Sequence, residues 1–295
     1  MKFTINKDSS IIKYKLSDVV KAVKKDTFEN PQFDFDSNYT LMMFFSYFID
    51  LAEKENDEQS VNILKSYILN QVSKLPVEYE KIVDKCLDLL EYDKDLEQMF
   101  KSSSVEVITA FFYHPFSSFI YDELFLFYDK APITEVLKEK FKTDNFSQIT
   151  YELNLDVSKK IKEKLGEEKY KSVITDEEIK EYEEALKEQK KSKSELVINR
   201  NPNDLNEAVE VLIDMFDNND SLKQVDINLE ESTEVFTSML FFHIYDVLLF
   251  SFKLYDPKTK LVKYFKKEKN IEDPYTMIFI MLKTFVNYVK LKKSI

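Results

Sequence analysis

A single glycine, Gly166, occurs among the 295 residues of this chain, and no other feature of the sequence restricts the fold as strongly. Two-residue hairpin turns favour Asn-Gly or Asp-Gly, because their central residues take positive φ angles. The scarcity of glycine therefore disfavours large meandering sheets and makes helices the default structure. For the same reason, we expect almost no position of the fold to require a positive φ.

The lack of glycine also excludes several classes of function. Phosphate-cradling loops, dinucleotide-binding turns and nucleophile elbows need glycine where the backbone approaches a ligand or turns sharply. One glycine builds none of these motifs, and the sequence contains no other catalytic or cofactor signature. We therefore predict a protein without enzymatic activity and without a cofactor.

Charge and cysteine content restrict the partners and the compartment. The formal net charge is -12, which disfavours non-specific binding to nucleic acid or to an anionic membrane. The one cysteine, Cys86, excludes an internal disulfide and fits a reducing compartment. It falls on the apolar stripe of a helix predicted to start at Pro76, so we interpret it as a buried, inert thiol. With no leader pattern at the N-terminus, the predicted location is cytoplasmic, or the host cytoplasm or virion if the protein is viral.

Two aromatic stretches, Ser104–Asp129 and Ser232–Asp256, resemble each other. Each opens Ser-x-Glu-Val-x-Thr, and each places one of the chain's two histidines, His114 and His243, just after a Phe-Phe pair. We interpret them as copies of one duplicated core helix, N-capped by the first serine of each stretch. A proline at position 115 is expected to kink or end the first copy.

The second stretch is long enough to span a membrane. It contains His243, Asp246 and Lys253, however, and an Asp near the middle costs roughly 2.5–3.5 kcal/mol on insertion into a bilayer. We therefore predict a buried helix that is apolar on most sides, and no membrane contact.

The remaining patterns predict a mainly α (α+β) fold. Alternating apolar residues predict a hairpin at residues 2–5 and 11–16, and short strands at 149–155, 196–198 and 225–229. Helical periodicity and capping signals predict helices elsewhere, including one capped by Ser17, one that stops at Gly166 and one with a Thr175–Glu178 capping box. Asp256-Pro257 is predicted to end the second aromatic helix. Further helices are predicted from Asn38 onward and at 132–142, 205–216 and 275–291. We predict two helical lobes with a few short strands, related by duplication, at residues 1–155 and 196–295. Charged helices at 156–195 join them.

His243 and Asp246 are the best candidates for catalysis. They lie three residues apart on one predicted helix, so a carboxylate there can fix the imidazole tautomer, as an acid-base pair requires. Our preferred interpretation is a structural pair that satisfies its own hydrogen bonding inside an aromatic helix. His114 has no carboxylate at the matching offset. We predict no metal site, since two histidines and one cysteine lack the spacing of zinc ligands.

A basic, aromatic segment lies near the C-terminus. Its lysines and one tyrosine have the composition of a surface that stacks single-stranded bases, although we interpret the segment as a surface loop. The candidate contact residues are Lys260, Lys263, Tyr264, Lys266 and Lys267.

These observations favour a non-enzymatic interaction protein, either an assembly factor or a structural subunit, whose partners are other proteins or itself. The alternatives are an enzyme of an unrecognised kind centred on His243 and Asp246, and an accessory subunit of a nucleic-acid machine. The dominance of Lys, Ile, Asn, Asp, Glu, Phe and Tyr indicates an AT-rich genome. An N-terminal hairpin leading into an acidic, helix-rich body resembles phage tail and baseplate assembly proteins, which implies a viral origin and an assembly role.

Overall fold

The computed structural model describes residues 15–25, 38–88, 90, 94–124, 131–170, 175, 177–181, 184, 200–218 and 231–293. All regular secondary structure within these ranges is helical, which confirms the mainly helical fold. The strands predicted at 2–5, 196–198 and 225–229 lie outside the described residues, as does nearly all of 11–16.

The helices follow one another along the chain with short connections. In order they are α1 (Leu16–Lys24), α2 (Asn38–Lys54), α3 (Glu58–Val72), α4 (Tyr79–Asp88), α5 (Lys94–Ser102), α6 (Val105–Glu123), α7 (Pro132–Phe141), α8 (Phe146–Leu165), α9 (Leu205–Asn218), α10 (Thr233–Ser251), α11 (Lys260–Tyr264), the π-helix π1 (Phe265–Lys269) and α12 (Pro274–Lys293). Residues 177–181 are also helical, and Thr175 and Glu178 form the predicted capping box, in which each accepts a hydrogen bond from the other's backbone N–H.

The chain divides into two compact units. Unit 1 comprises Met1–Lys85 and Ser117–Asp144, and in it α1, α2 and α3 pack on one another around buried phenylalanines of α2. Unit 2 comprises Cys86–Phe116 and Asn145–Ile295. There α10 and α9 pack against α12, while α5 and α10 pack against α8. The division into two lobes and a connector at 156–195 stays a prediction, because residues 185–199 lie outside the described ranges.

Helix α8 replaces the strand predicted at 149–155. It begins after Asn145, whose side chain accepts a hydrogen bond from a first-turn backbone N–H (2.9 Å), and ends at Gly166, as predicted. Its buried residues include Asn154, whose amide donates to the backbone carbonyl of Thr109 (2.8 Å). The strand prediction is wrong because it treats buried polar residues as solvent-facing, which turns a helical period into an apparent alternation.

Several predicted helix boundaries are also shifted, because packing outweighs local sequence signals. Helix α1 starts at Leu16 with Lys15 rather than Ser17 before it, α4 starts at Tyr79 rather than Pro76, α6 continues past residue 115 to Glu123, and α10 ends at Ser251 rather than Asp256. Helices α2, α7, α9 and α12 lie close to where the sequence predicts them.

Within the described ranges, positive φ angles occur at four residues other than glycine, against expectation: Asn56, Lys142, Lys253 and Asn270. Asn56, Lys142 and Lys253 each lie just after a helix end. In each case the backbone N–H of the next residue donates a hydrogen bond to the carbonyl five residues before it: Asp57 to Ala52, Thr143 to Lys138 and Leu254 to Leu249. This is the Schellman termination, in which glycine normally takes the left-handed position. The fold therefore uses Asn and Lys where glycine is the usual residue.

Candidate functional site

The two aromatic stretches form helices of equal length with the same local bonds. Ser232 accepts a hydrogen bond from the backbone N–H of Val235 (3.2 Å) at the start of α10, and Ser104 accepts one from Val107 (3.4 Å) at the start of α6. Both helices have 19 residues. In each, a threonine in the second turn donates to the carbonyl four residues back (2.7 and 2.9 Å). Both predicted serine caps are confirmed.

Helix α10 is apolar on most sides, yet only part of it is buried. Residues such as Phe241, Ile244 and Leu248 point into the core of unit 2. The opposite side of the helix is exposed or half-buried, and Met239 is 41% exposed. We call this side the His243 face; it consists of Met239, Phe242, His243, Asp246, Val247 and Phe250.

The chain's two histidines meet beside this face. The ring of His114, from α6, lies 5.7 Å from that of His243 between centroids, with an interplanar angle of 88°. His114 also packs on Phe242, with centroids 5.3 Å apart. Both histidine side chains are exposed. The sequence pattern places the two histidines at similar, though not identical, distances from the capping serines of the two stretches but does not predict that they touch.

His243 and Asp246 do not form the expected pair. No hydrogen bond or ion pair joins them among the contacts of the described residues. Burial of the Asp246 carboxyl raises its pKa, a hydrogen bond with Tyr245 opposes the rise, and the negative charge of Glu178 adds to it. Burial, the charge of Asp246 and the same hydrogen bond raise the pKa of Tyr245 to about 12. The nearest polar partner of Asp246 is thus a phenol and not an imidazole.

Tyr245 connects this face to the interior of unit 2. Its ring stacks on Phe241 (5.6 Å, 12°) and contacts Phe111 (6.0 Å) and Tyr275 (6.2 Å). Burial raises the pKa of Tyr275, and neighbouring Tyr170 and Asp273 add to the shift. The cluster keeps its phenols protonated and fixes the orientation of α10 against α6 and α12.

A cleft of about 540 Å³ lies where α5 ends and α6 begins. Lys162, from α8, projects to it and donates hydrogen bonds from Nζ to the carbonyls of Phe100 (3.1 Å), Lys101 (2.8 Å) and Ser103 (2.9 Å). Burial lowers the pKa of Lys162, while Glu167 and Asp273 act in the opposite direction. The ammonium group satisfies carbonyls that the end of α5 leaves without helical partners.

Asp273 lines the same cleft and begins α12. Its Oδ2 accepts hydrogen bonds from the backbone N–H (2.7 Å) and the hydroxyl (2.5 Å) of Thr276, whose hydroxyl oxygen in turn accepts one from the N–H of Ser104 (3.3 Å). Asp273 is only 4% exposed, and burial raises its pKa despite the bonds from Thr276. Sequence reasoning missed this residue, although Asp-Pro before an apolar run is a signal for a helix start.

The basic segment near the C-terminus is helical, so the predicted surface loop is wrong. It forms α11 and π1, because Leu261, Val262 and Phe265 anchor one side in the core. Two of the five candidate residues form ion pairs: Lys266 with Glu272 (2.8 Å) and Lys267 with Glu268 (3.3 Å). The candidate residues Lys260, Lys263, Lys266 and Lys267 are exposed, and Tyr264 is half-buried.

Metal and membrane signals are weak in the described ranges. No group of three or more His, Cys, Asp or Glu side chains there is placed to hold a metal ion. Cys86 forms no disulfide and is fully buried, as predicted. One helix there, Thr233–Ser251, has the length and apolar character of a membrane span, with a mean hydropathy of 1.3, and half of its apolar stretch is buried. Core helices of soluble proteins pass the same test.

No family model matches the chain, and neither a curated protein nor a solved structure does so.

Proposed function

We propose that this protein is a non-enzymatic interaction subunit that binds another protein chain through the His243 face. The observation that carries the proposal is that α10 is mostly apolar, yet its side with Met239, Phe242 and Phe250 remains outside the core. Apolar side chains of a helix normally face the core of the protein. Binding of a partner chain would bury the apolar side chains of the His243 face that the fold leaves exposed or half-buried.

The composition of the face fits a protein partner. Met239 and Phe242 supply apolar area at its centre, and fully burying a side chain of this size stabilises a complex by about 1.5–3 kcal/mol. His243 and Asp246 add polar groups that can pair across an interface. Aromatic and methionine residues at the centre with polar groups beside them are typical of protein-binding surfaces.

A charge on the His243 face should abolish binding. We expect affinity isolation of the tagged full chain from its native cells to yield a stoichiometric partner, or a second copy of itself. Met239→Glu should reduce recovery of that partner about tenfold or more, because it buries an unpaired carboxylate. Leu291→Glu is the matched control, since Leu291 is 69% exposed on a different helix and its change should leave recovery intact.

The proposal fails if the wild-type chain is isolated alone and monomeric, or if Met239→Glu retains the partner as well as Leu291→Glu does. Circular dichroism of both variants shows whether they fold. An intact helical spectrum assigns any loss of recovery to the surface rather than to unfolding.

A catalytic role for His243 and Asp246 is the alternative. It is less well supported, because Asp246 interacts with Tyr245 and does not orient the imidazole. The double variant His243→Gln with Asp246→Asn separates the two functions. An unchanged phenotype in this variant, with its fold intact, removes the enzyme hypothesis.

We also infer that the two aromatic stretches descend from one duplicated unit. The equal lengths of α6 and α10, their serine caps and the matching threonine bonds support this. An interaction subunit built by duplication fits an assembly role.

A further inference from the structure

We propose that His114 and His243 together bind one transition-metal ion, such as Cu²⁺, Ni²⁺ or Zn²⁺. Two ligand nitrogens on one zinc ion lie at most about 4.2 Å apart, which is twice a Zn–N bond. The ring centroids are 5.7 Å apart, so the near edges of the two rings are closer than that. At this separation, rotation of the two side chains can bring one nitrogen of each ring within bonding distance of a common ion.

The two imidazoles are available as ligands. Both side chains are exposed, and neither forms a hydrogen bond or ion pair with another residue in the part of the chain that the structure describes. Neutral imidazole is the commonest metal ligand of proteins. Among the described residues, no side chain competes with a metal ion for these nitrogens.

The surroundings hold the pair in place. His114 packs against Phe242, and Phe242 in turn contacts the edge of the His243 ring (5.8 Å between centroids). The two histidines come from separate helices of unit 2, α6 and α10, so one ion would bridge both helices. This arrangement fixes the ligands before binding, which reduces the entropy lost when the ion is captured.

The donor set determines the class of metal. Two imidazole nitrogens with water in the remaining positions suit borderline and softer divalent ions, whereas Mg²⁺ and Ca²⁺ require oxygen ligands. Affinity should follow the order Cu²⁺ above Ni²⁺ and Zn²⁺. Metal binding at this site requires only this chain, so it does not depend on the proposed binding of a partner protein.

Calorimetric titration of the full chain with Ni²⁺ and Cu²⁺ tests the site. We expect one ion per chain, and a loss of about tenfold or more in affinity for either His114→Gln or His243→Gln, since even indirect support of a metal ligand contributes 10–100-fold. Asp50→Asn removes an exposed carboxylate of unit 1, whereas both histidines belong to unit 2, and as the control it should leave affinity within about twofold. Titration with Mg²⁺ should release no heat of binding.

The proposal is overturned if the wild-type chain binds Ni²⁺ and Cu²⁺ no more tightly than the double variant lacking both histidines. It is equally overturned if each single variant binds as tightly as wild type, because one histidine or another group then holds the ion. Electron paramagnetic resonance of the Cu²⁺ complex gives a second, independent measure on the wild-type chain. Coordination by two imidazole nitrogens supports the site, and coordination by one contradicts it.

Discussion

Asp273 is a buried acid whose proton affinity depends on the fold. Because burial raises its pKa above the unfolded value, the folded state holds the proton more tightly than the unfolded state does. The contribution of this group to stability is therefore greatest at low pH and is lost as pH rises through the folded pKa. Thr276 limits this loss by donating two hydrogen bonds to the carboxylate.

The variant Asp273→Asn removes the titrating proton and keeps an oxygen that accepts the bonds from Thr276. We expect the free energy of unfolding of wild type to fall relative to this variant as the pH rises above about 4, the usual pKa of Asp. Urea unfolding at a series of pH values measures the difference. Equal pH dependence in the two proteins would contradict the prediction.

Asp57 provides a control of opposite sign. Hydrogen bonds from the side chain and backbone of Ser60 lower the pKa of Asp57. The contribution of Asp57 to the stability of the fold is therefore present above its unfolded pKa and is lost as pH falls through its folded pKa. Asp57→Asn should therefore lose stability relative to wild type at neutral pH and approach it at acidic pH.

At the scale of the helix, Lys162 determines how α5 ends. Replacing it by Met keeps the apolar stem of the side chain and removes three hydrogen bonds to backbone carbonyls. Lys162→Met should lower the free energy of unfolding by about 1–3 kcal/mol, because buried carbonyls lose a charged donor. Lys159→Met, on the same helix, removes only an exposed pair with Asp156 (2.7 Å) and should cost less than about 1 kcal/mol. Denaturant titration of both variants measures the two costs.

The helices were predictable from sequence where their signals are local. A serine cap locates the start of α10, and apolar periodicity locates α12. The glycine just past α8 marks the end of that helix. The start of α8 was not predictable in this way, because its buried polar side chain Asn154 is satisfied by a carbonyl from a distant part of the chain. Helix α5 carries a short apolar stripe among charged residues, and sequence reasoning missed it.

The candidate site was predictable only in part. Sequence spacing identifies His243 and Asp246 as neighbours on one helix, but Asp246 interacts with Tyr245 instead. The contact of His114 with His243 depends on how α6 packs beside α10, which no local pattern encodes. Pairing of Lys266 with Glu272 likewise requires the turn after π1.

Across the whole molecule, charge argues against a nucleic-acid partner. The net charge is -12, and Lys266 and Lys267 form ion pairs with neighbouring glutamates. We expect no measurable binding of a single-stranded oligonucleotide at physiological salt, because few phosphates can be neutralised. Fluorescence anisotropy at increasing salt measures this. Tight, salt-sensitive binding that is lost when both lysines are changed to Glu would establish the nucleic-acid alternative instead.

The burial of the one thiol makes this chain convenient for spectroscopy. Cys86 is fully buried, and the sequence contains no tryptophan. Maleimide dyes or spin labels should therefore react with a cysteine introduced at Met239 or Leu291 with little background from the native thiol. A tryptophan placed at Phe242 would likewise be the sole indole emitter, so its emission would report ligand arrival at that position directly.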